Sequence, residues 1–354
     1  MAGIYIHIPF CKSRCKYCDF YSTTRLTGHH AYIDAVINEW HRRKDELQEP
    51  IETIYIGGGT PSQLPAEEIT RLLQAIGIAT AIEITMEANP GDLTLPYLQA
   101  IRSAGVNRLS LGVQSFQDEL LRLIGRRHNA QQAKEVISLA RQAGFDNLSV
   151  DLMYGLPGQT QSMLEDDITT LLSFAPEHIS AYCLTYEEGT ALTRMRDNGE
   201  VAEWDDDTLN SYYDMLCDTL IKSGYIHYEV SNFCLPEHYS HHNSAYWNNT
   251  PYLGLGAAAH SYDGQTRSWN IADIEAYEHG LEGEVEHLTE EQKRLEAVML
   301  GLRTNKGISA ELVQGKPHVV QDLMRQGYID KKGSCIIATR KGLHILNSII
   351  TQLV

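Results

Sequence analysis

Six β-rich runs, separated by stretches with helical spacing, constrain this chain more than any other feature of its sequence. The runs are Ile4–Ile8, Thr53–Ile56, Ile82–Met86, Arg108–Val113, Leu148–Met153 and Ile179–Leu184. Between them, Ile33, Val36, Ile37 and Trp40 fall at i, i+3, i+4 and i+7, as on one face of a helix over His30–Leu47. Ile69, Leu72, Leu73 and Ile76 repeat the spacing, Leu95–Ala104 stops at Gly105, and Asn129 caps a helix that carries Val136, Ile137 and Ala140 and ends at Gly144. A further helix surrounds Leu164, Ile168, Leu171 and Leu172. Alternation of this kind predicts parallel βαβ units, hence an α/β fold built as a partial or complete (β/α) barrel. Its chemistry should lie at the carboxyl ends of the strands.

After residue 230 the rhythm stops. The expected organisation is a core domain over 1–230, a connecting segment over 231–286, and a smaller domain over 287–354. The segment is rich in Tyr, His, Asn and Gly and has no clear period. Thr289-Glu290-Glu291-Gln292 fits a capping box before Leu295–Leu302. The remainder reads as helix, helix, hairpin and helix, with Lys331-Lys332-Gly333-Ser334 as the hairpin turn. The resulting α+β unit resembles a winged helix. Winged helices often bind DNA, but 29 basic against 46 acidic residues give a net charge of −17, which repels nucleic acid and anionic lipid. A structural role is therefore expected for the unit, and no nucleic-acid partner. No apolar run is long enough to cross a membrane as a helix, and the first residues lack the pattern of a signal peptide. These features point to the cytoplasm, with any membrane association peripheral and through partners.

Seven cysteines are present. Cys183, Cys217, Cys234 and Cys335 stand singly and read as small buried hydrophobes. Cys11, Cys15 and Cys18 form C-x3-C-x2-C just behind the first strand, on a loop with Lys12, Ser13, Arg14 and Lys16. Structural zinc usually takes four ligands; here it would need a histidine such as His7 or His29. A cubane iron–sulfur cluster on three thiolates keeps one iron open for another ligand. Gly57-Gly58-Gly59 follows the second strand, where the lack of Cβ lets backbone approach a ligand closely. Its N–H groups could meet a carboxylate.

The cysteine spacing, Tyr17 before the last cysteine, and Gly57-Gly58-Gly59-Thr60-Pro61 together resemble the radical S-adenosylmethionine (SAM) superfamily. The resemblance implies a [4Fe–4S] cluster on Cys11, Cys15 and Cys18, SAM chelated to the open iron, and an electron donor that lets the cluster split SAM to a 5′-deoxyadenosyl radical. Tyr5-Ile6-His7-Ile8-Pro9-Phe10-Cys11, Glu87-Ala88-Asn89-Pro90, Gly112-Val113-Gln114-Ser115, Gly125-Arg126 and Asp151–Pro157 narrow it to the group of oxygen-independent coproporphyrinogen III oxidases and HemW haem chaperones. The similarity extends to the C-terminus. In that group, residues matching Tyr5, Gly58, Glu87, Gln114, Arg126 and Asp151 line the SAM site, with Tyr17, Gly59 and Thr60 close by. Glu87 and Asp151 suit the amine or ribose hydroxyls, Arg126 a carboxylate, and Tyr17 the adenine.

Two departures count against the oxidase branch. Phe20 stands where the oxidases carry a fourth cysteine, and their N-terminal extension has no counterpart before Tyr5. For the chaperone branch speaks His242-Asn243-Ser244-Ala245-Tyr246-Trp247, which fits the HNxxYW motif. Histidine supplies a nitrogen to haem iron and aromatic rings suit a tetrapyrrole. His242 is the expected ligand, with His238, His241 and His260 nearby; there is no CxxCH attachment motif. The resemblance thus implies haem as cargo, membrane respiratory enzymes among the acceptors, and a structural or regulatory role for SAM. The rivals are a coproporphyrinogen III dehydrogenase and, from another class, a DNA-binding iron–sulfur sensor.

Overall fold

The computed structural model describes residues 2–77, 79–281 and 283–354. Six strands pair in parallel, in sequence order, within one large sheet: β1 (Ala2–Ile8), β2 (Ile51–Gly58), β3 (Glu83–Ala88), β4 (Arg108–Gln114), β5 (Leu148–Tyr154) and β6 (His178–Cys183). Each expected run is a strand, and a helix lies between every pair. The helix Leu95–Ala104 ends at Gly105, and Asn129 caps Ala130–Gln142 through a capping box with Gln132.

Period-two alternation gives these strands two different faces. Ile4, Ile6, Ile8, Ile54, Ile56, Met86, Leu109, Leu111, Val150 and Leu152 are buried in one continuous core with Ile33, Ile69, Leu72, Val136 and Leu164 of the surrounding helices. The residues between them are mostly polar and bond to one another between neighbouring strands along the inner face. Tyr55 donates to Glu87 at 2.7 Å, Ser110 to Asp151 at 3.2 Å, and Ser149 meets His178 Nδ1 at 2.8 Å. An inner face of this chemistry is suited to a polar ligand rather than to packing.

The strands that follow β6 in the chain extend the sheet at both edges. On one side β6 pairs antiparallel with β8 (Asn232–Cys234), which pairs with β7 (Ile226–Glu229). On the other, β9 (Tyr252–Leu255) joins β1 in parallel, followed antiparallel by β10 (His260–Tyr262), β11 (Thr266–Trp269) and β12 (Glu284–His287). β7 and β12 end the twelve-stranded order and do not pair with each other, so the barrel is partial. The short helix His241–Trp247 lies across β1 and β2, with Ser240 as its cap. Glu83, at the start of β3, accepts from the N–H groups of His241 and His242, both at 2.9 Å. A carboxylate there also meets the positive end of the helix dipole.

The last part has its own core of Val298, Leu302, Ile308, Leu323, Ile336, Ile349 and Leu353. A three-stranded sheet, β13 (Ile308–Ser309), β15 (Cys335–Ala338) and β14 (Ile329–Lys332), is surrounded by helices Glu290–Gly301, Pro317–Arg325 and Leu346–Leu353. Thr289 and Gln292 form the expected capping box, and Gly333, at φ 63°, turns the hairpin. Two backbone bonds, Val230 N–H to Arg303 O at 2.8 Å and Asn305 N–H to Tyr228 O at 3.0 Å, seat this unit on the β7 edge. Among the described residues no helix is long and apolar enough to cross a membrane.

Candidate functional site

The loop that carries the three cysteines leaves β1 at Ile8 and is fixed at both ends. Cys11 N–H donates to Thr23 O at 2.8 Å and Thr23 N–H to Pro9 O at 2.7 Å. Lys16 N–H bonds to Ile124 O at 3.0 Å, and Arg14 spans the loop to Ser22 Oγ at 3.1 Å. Cys11 is buried, while Cys15 and Cys18 are partly open. Lys12, Ser13 and Arg14 are exposed. Burial pushes the Cys11 thiol up and the Cys18 thiol up to about 11. Each feels the charge of Cys15, so the three sulfurs share one neighbourhood.

Among the described residues, no three His, Cys, Asp or Glu side chains stand close enough to hold a single ion. His7 is not free for zinc: its Nε2 meets Tyr21 O at 2.9 Å and its Nδ1 meets Tyr5 OH at 3.0 Å. His29 packs on Phe10 with ring centres 4.4 Å apart. A cubane cluster is larger than an ion and needs wider thiolate spacing. Arg126 Nη1 donates to Cys15 Sγ at 3.4 Å, an arrangement that suits an anionic sulfur ligand.

The strand ends beside this loop collect the other expected residues. Gly58 N–H donates to Glu87 at 3.2 Å and Gly59 N–H to Ile8 O at 2.8 Å. These N–H groups are thus spent within the protein rather than offered to a ligand carboxylate. The glycines serve approach instead. A Cβ on Gly58, whose φ is +107°, would stand 2.6 Å from His7, and one on Gly59 2.8 Å from the Pro9 carbonyl carbon. Thr60 Oγ1 lies 3.4 Å from Cys11 Sγ. Gln114 ends β4 with φ 71°, a left-handed conformation uncommon for a residue other than glycine. Arg126 also reaches Gly112 O and lies 3.5 Å from Tyr17 OH. Gln114 Oε1 and Arg126 Nε are buried and have no partner. Buried polar atoms of this kind are normally paired, so both are available to a polar ligand.

Burial pushes Glu87 up to about 7, with the Asp151 charge adding to it and bonds from Tyr55 and Gly58 opposing. Burial likewise pushes Asp151 up to about 6, against the Ser110 bond and the Arg108 and Arg126 charges. Both sit near neutrality, poised to be ionised by a bound cation. Tyr5, in register with Tyr55 on the neighbouring strand, completes this wall. Sequence reasoning missed Tyr55, Ser110 and Arg108. The signal was the alternation itself, which puts Tyr55 on the same face as Gly57, and Arg108 and Ser110 on the same face as Gly112 and Gln114.

Phe20 is 62% exposed, at the rim of the cysteine loop. Of the single cysteines, Cys217 and Cys234 are buried, as expected; Cys183 and Cys335 are only partly so, because Cys183 ends β6 and Cys335 starts a hairpin strand.

His242 does not line this site. It is 1% exposed and lies at the opposite end of the barrel interior. Its Nδ1 meets Thr53 Oγ1 at 2.8 Å, its Nε2 meets Tyr246 OH at 2.9 Å, and its ring stacks on Tyr55 with centres 5.1 Å apart. Burial and the Arg108 charge hold it well below the usual histidine range, at about 3, so the ring is neutral. His241 is exposed, His238 is half-buried, and His260 stacks on Trp269.

Comparison with known proteins bears on this arrangement. The sequence profile of the radical SAM superfamily matches residues 5–171. A protein named heme chaperone HemW from Lactococcus lactis is 36% identical, with 98% of this chain and 96% of the relative covered. HemW from Bacillus subtilis is also 36% identical, over 99% and 98%. A mitochondrial radical S-adenosyl methionine domain-containing protein 1 from Danio rerio is 31% identical, over 99% and 86%. Among solved structures, coproporphyrinogen III oxidase (HemN) from Escherichia coli superposes with a TM-score of 0.84 at 23% identity, over 99% of this chain and 89% of that one. At that identity the likeness establishes the fold.

Proposed function

Because this chain belongs to the HemW family of the radical SAM superfamily, we propose that it is a haem chaperone: it binds haem and passes it to acceptor proteins, membrane respiratory enzymes among them. The observation that carries this reading is the end-to-end match to proteins that bear the name heme chaperone, including the C-terminal unit. Phe20 in place of a fourth cysteine agrees with it.

The superfamily implies a [4Fe–4S] cluster and SAM. Cys11, Cys15 and Cys18 would hold the cluster, with the Arg126 guanidinium beside Cys15 offsetting its negative charge. Tyr5, Tyr17, Gly58, Gly59, Thr60, Glu87, Gln114, Arg126 and Asp151 would form the SAM pocket. There Glu87 and Asp151 receive the amine or ribose hydroxyls, while Gln114 and Arg126 supply the orphaned polar atoms. When bound, the cluster offers one-electron reduction of the sulfonium; in a chaperone SAM has a structural or regulatory role. An electron donor and a cytoplasmic setting belong to the same proposal.

The test is a haem titration of the full chain after anoxic reconstitution of the cluster, followed in the Soret band. Saturation near one haem per chain supports the chaperone. No binding with the cluster intact overturns it and directs attention to coproporphyrinogen turnover.

A further inference from the structure

The helix His241–Trp247 closes the barrel end opposite the cysteine loop, and its two sides do different things. Residues four apart share a face of a helix. His242 and Tyr246 form the inner face and bond to each other inside the barrel. His241, Ala245 and Trp247 form part of the wall of a cavity of about 350 Å³ on the outer side. Tyr228 and Tyr239 line it as well, with rings 5.1 Å apart, and so does Lys306 of the C-terminal unit. The volume is at the low end for small-molecule clefts, roughly 300–1,000 Å³, so a larger flat ligand would keep one edge in solvent.

We propose that this cleft takes an iron tetrapyrrole and that His241, rather than His242, is the side chain that reaches the iron. The inference rests on the haem-chaperone reading and gives it a site. An axial ligand needs an imidazole nitrogen free to coordinate. His242 has none: one nitrogen is held by Thr53 and the other by Tyr246, and the ring is sandwiched in the barrel against Tyr55. Freeing it requires the helix to leave β1 and β2. His241 is exposed, its imidazole makes no hydrogen bond among the described residues, and it opens onto the cleft. Aromatic rings of Tyr239 and Trp247 suit the faces of a flat macrocycle. Lys306 offers a cation to a carboxylate on its edge. Position adds a further argument. The cleft is bounded by Ala2, Glu52 and Thr53, the first residues of β1 and β2, and so lies a full strand length from the cysteine loop. Haem there could be loaded and released without disturbing a cluster or SAM.

The experiment uses the full chain, ferric protoporphyrin IX, and metal-free protoporphyrin IX as a probe that cannot be ligated. The variants are His241→Ala, His242→Gln and Trp247→Ala, each checked by circular dichroism for wild-type folding. We expect His241→Ala to weaken ferric haem by about tenfold or more and to lose the low-spin signature of histidine ligation, with binding of the metal-free ring unchanged. Trp247→Ala should weaken both rings, and His242→Gln neither. If His241→Ala binds and absorbs as wild type does, the assignment is overturned, whatever the other variants show. The same holds if folded His242→Gln alone loses the ligation signature. If the wild-type chain takes up no haem at all, the chaperone reading fails, and the site falls with it.

Discussion

Glu87→Gln isolates the electrostatics of the barrel interior from everything else that titrates on an acidic chain. Glu87 accepts from Tyr55 at 2.7 Å and from the Gly58 N–H at 3.2 Å, yet burial still pushes its carboxyl from an ordinary 4.5 up to about 7. A folded carboxyl with a raised value keeps its proton longer than the unfolded one does. Between about pH 4.5 and 7 the unfolded chain therefore binds fewer protons, and stability falls as pH rises. At 1.36 kcal/mol per tenfold change in acidity, the full penalty is about 3 kcal/mol. It is absent below the unfolded value and complete above the folded one. Glutamine cannot ionise, but it can accept well from only one of the two donors, a pH-independent loss of about 1–2 kcal/mol. The variant should thus be less stable than wild type at pH 5, and equal or more stable at pH 8. The assay is urea unfolding of both chains, without cofactors, at pH 5, 6, 7 and 8. Subtraction cancels the acidic groups that do not interact with Glu87; Asp151, whose charge raises Glu87, shifts in the same direction and is part of the barrel-interior signal. A difference that stays flat across this range would refute the argument. A difference that grows in favour of wild type would mean that the folded carboxyl is held ionised.

Three further substitutions test other parts of the structure. Glu39, 3% exposed, accepts from Arg43 and Asn270 at 2.8 Å, Gly256 N–H at 2.9 Å and Tyr277 at 2.6 Å, tying the first helix to the loops after β9 and β11 and to the helix Ile274–Glu278. Glu39→Ala should cost about 3–5 kcal/mol in denaturant unfolding, and an unchanged midpoint would show that these bonds contribute nothing. Asp167 holds the turn after β4 through Ser115 at 2.6 Å and the Phe116 N–H at 2.8 Å, and burial raises it to about 6. Asp167→Ala should lower stability by about 1–3 kcal/mol and reduce SAM affinity, read by equilibrium dialysis, since Gln114 begins that turn; intact affinity would separate the turn from the site. Gly59→Ala places a Cβ 2.8 Å from the Pro9 carbonyl carbon, a backbone atom that cannot swing away. It should cost about 1–3 kcal/mol and lower the iron retained per chain after reconstitution, whereas full iron retention would rule out a tight fit of this loop on the cysteine segment.

What the sequence disclosed and what it hid divide along the same physical line. The outer faces of β1–β6 announce themselves, because Ile, Leu and Val at alternate positions pack on helices whose own apolar residues recur every three or four. The cysteine loop is legible because thiolate spacing is a local property, and the residues at the strand ends follow once the strands are placed. The inner faces are different. Alternation puts Tyr55, Arg108 and Ser110 on the inner face, but which of them meets Glu87 and Asp151 depends on the register between strands, Ser110 opposite Glu87 and Tyr55 and Arg108 opposite Thr85, and no local pattern reports that register. The strands of residues 232–287 are three or four residues long, too short for a period to show, and the pairings that join them to the barrel, β9 with β1 and β8 with β6, are distant in sequence. The same blindness governs His242. Its motif identifies a histidine among aromatics but not which way the helix faces, and one residue along a helix is a rotation of about 100°. That rotation turns His242 toward Thr53 and Tyr55, and His241 toward solvent and a cleft. A motif that stabilises the closed end of the barrel and a ligand that binds outside it can therefore occupy adjacent positions, and only three-dimensional placement tells them apart.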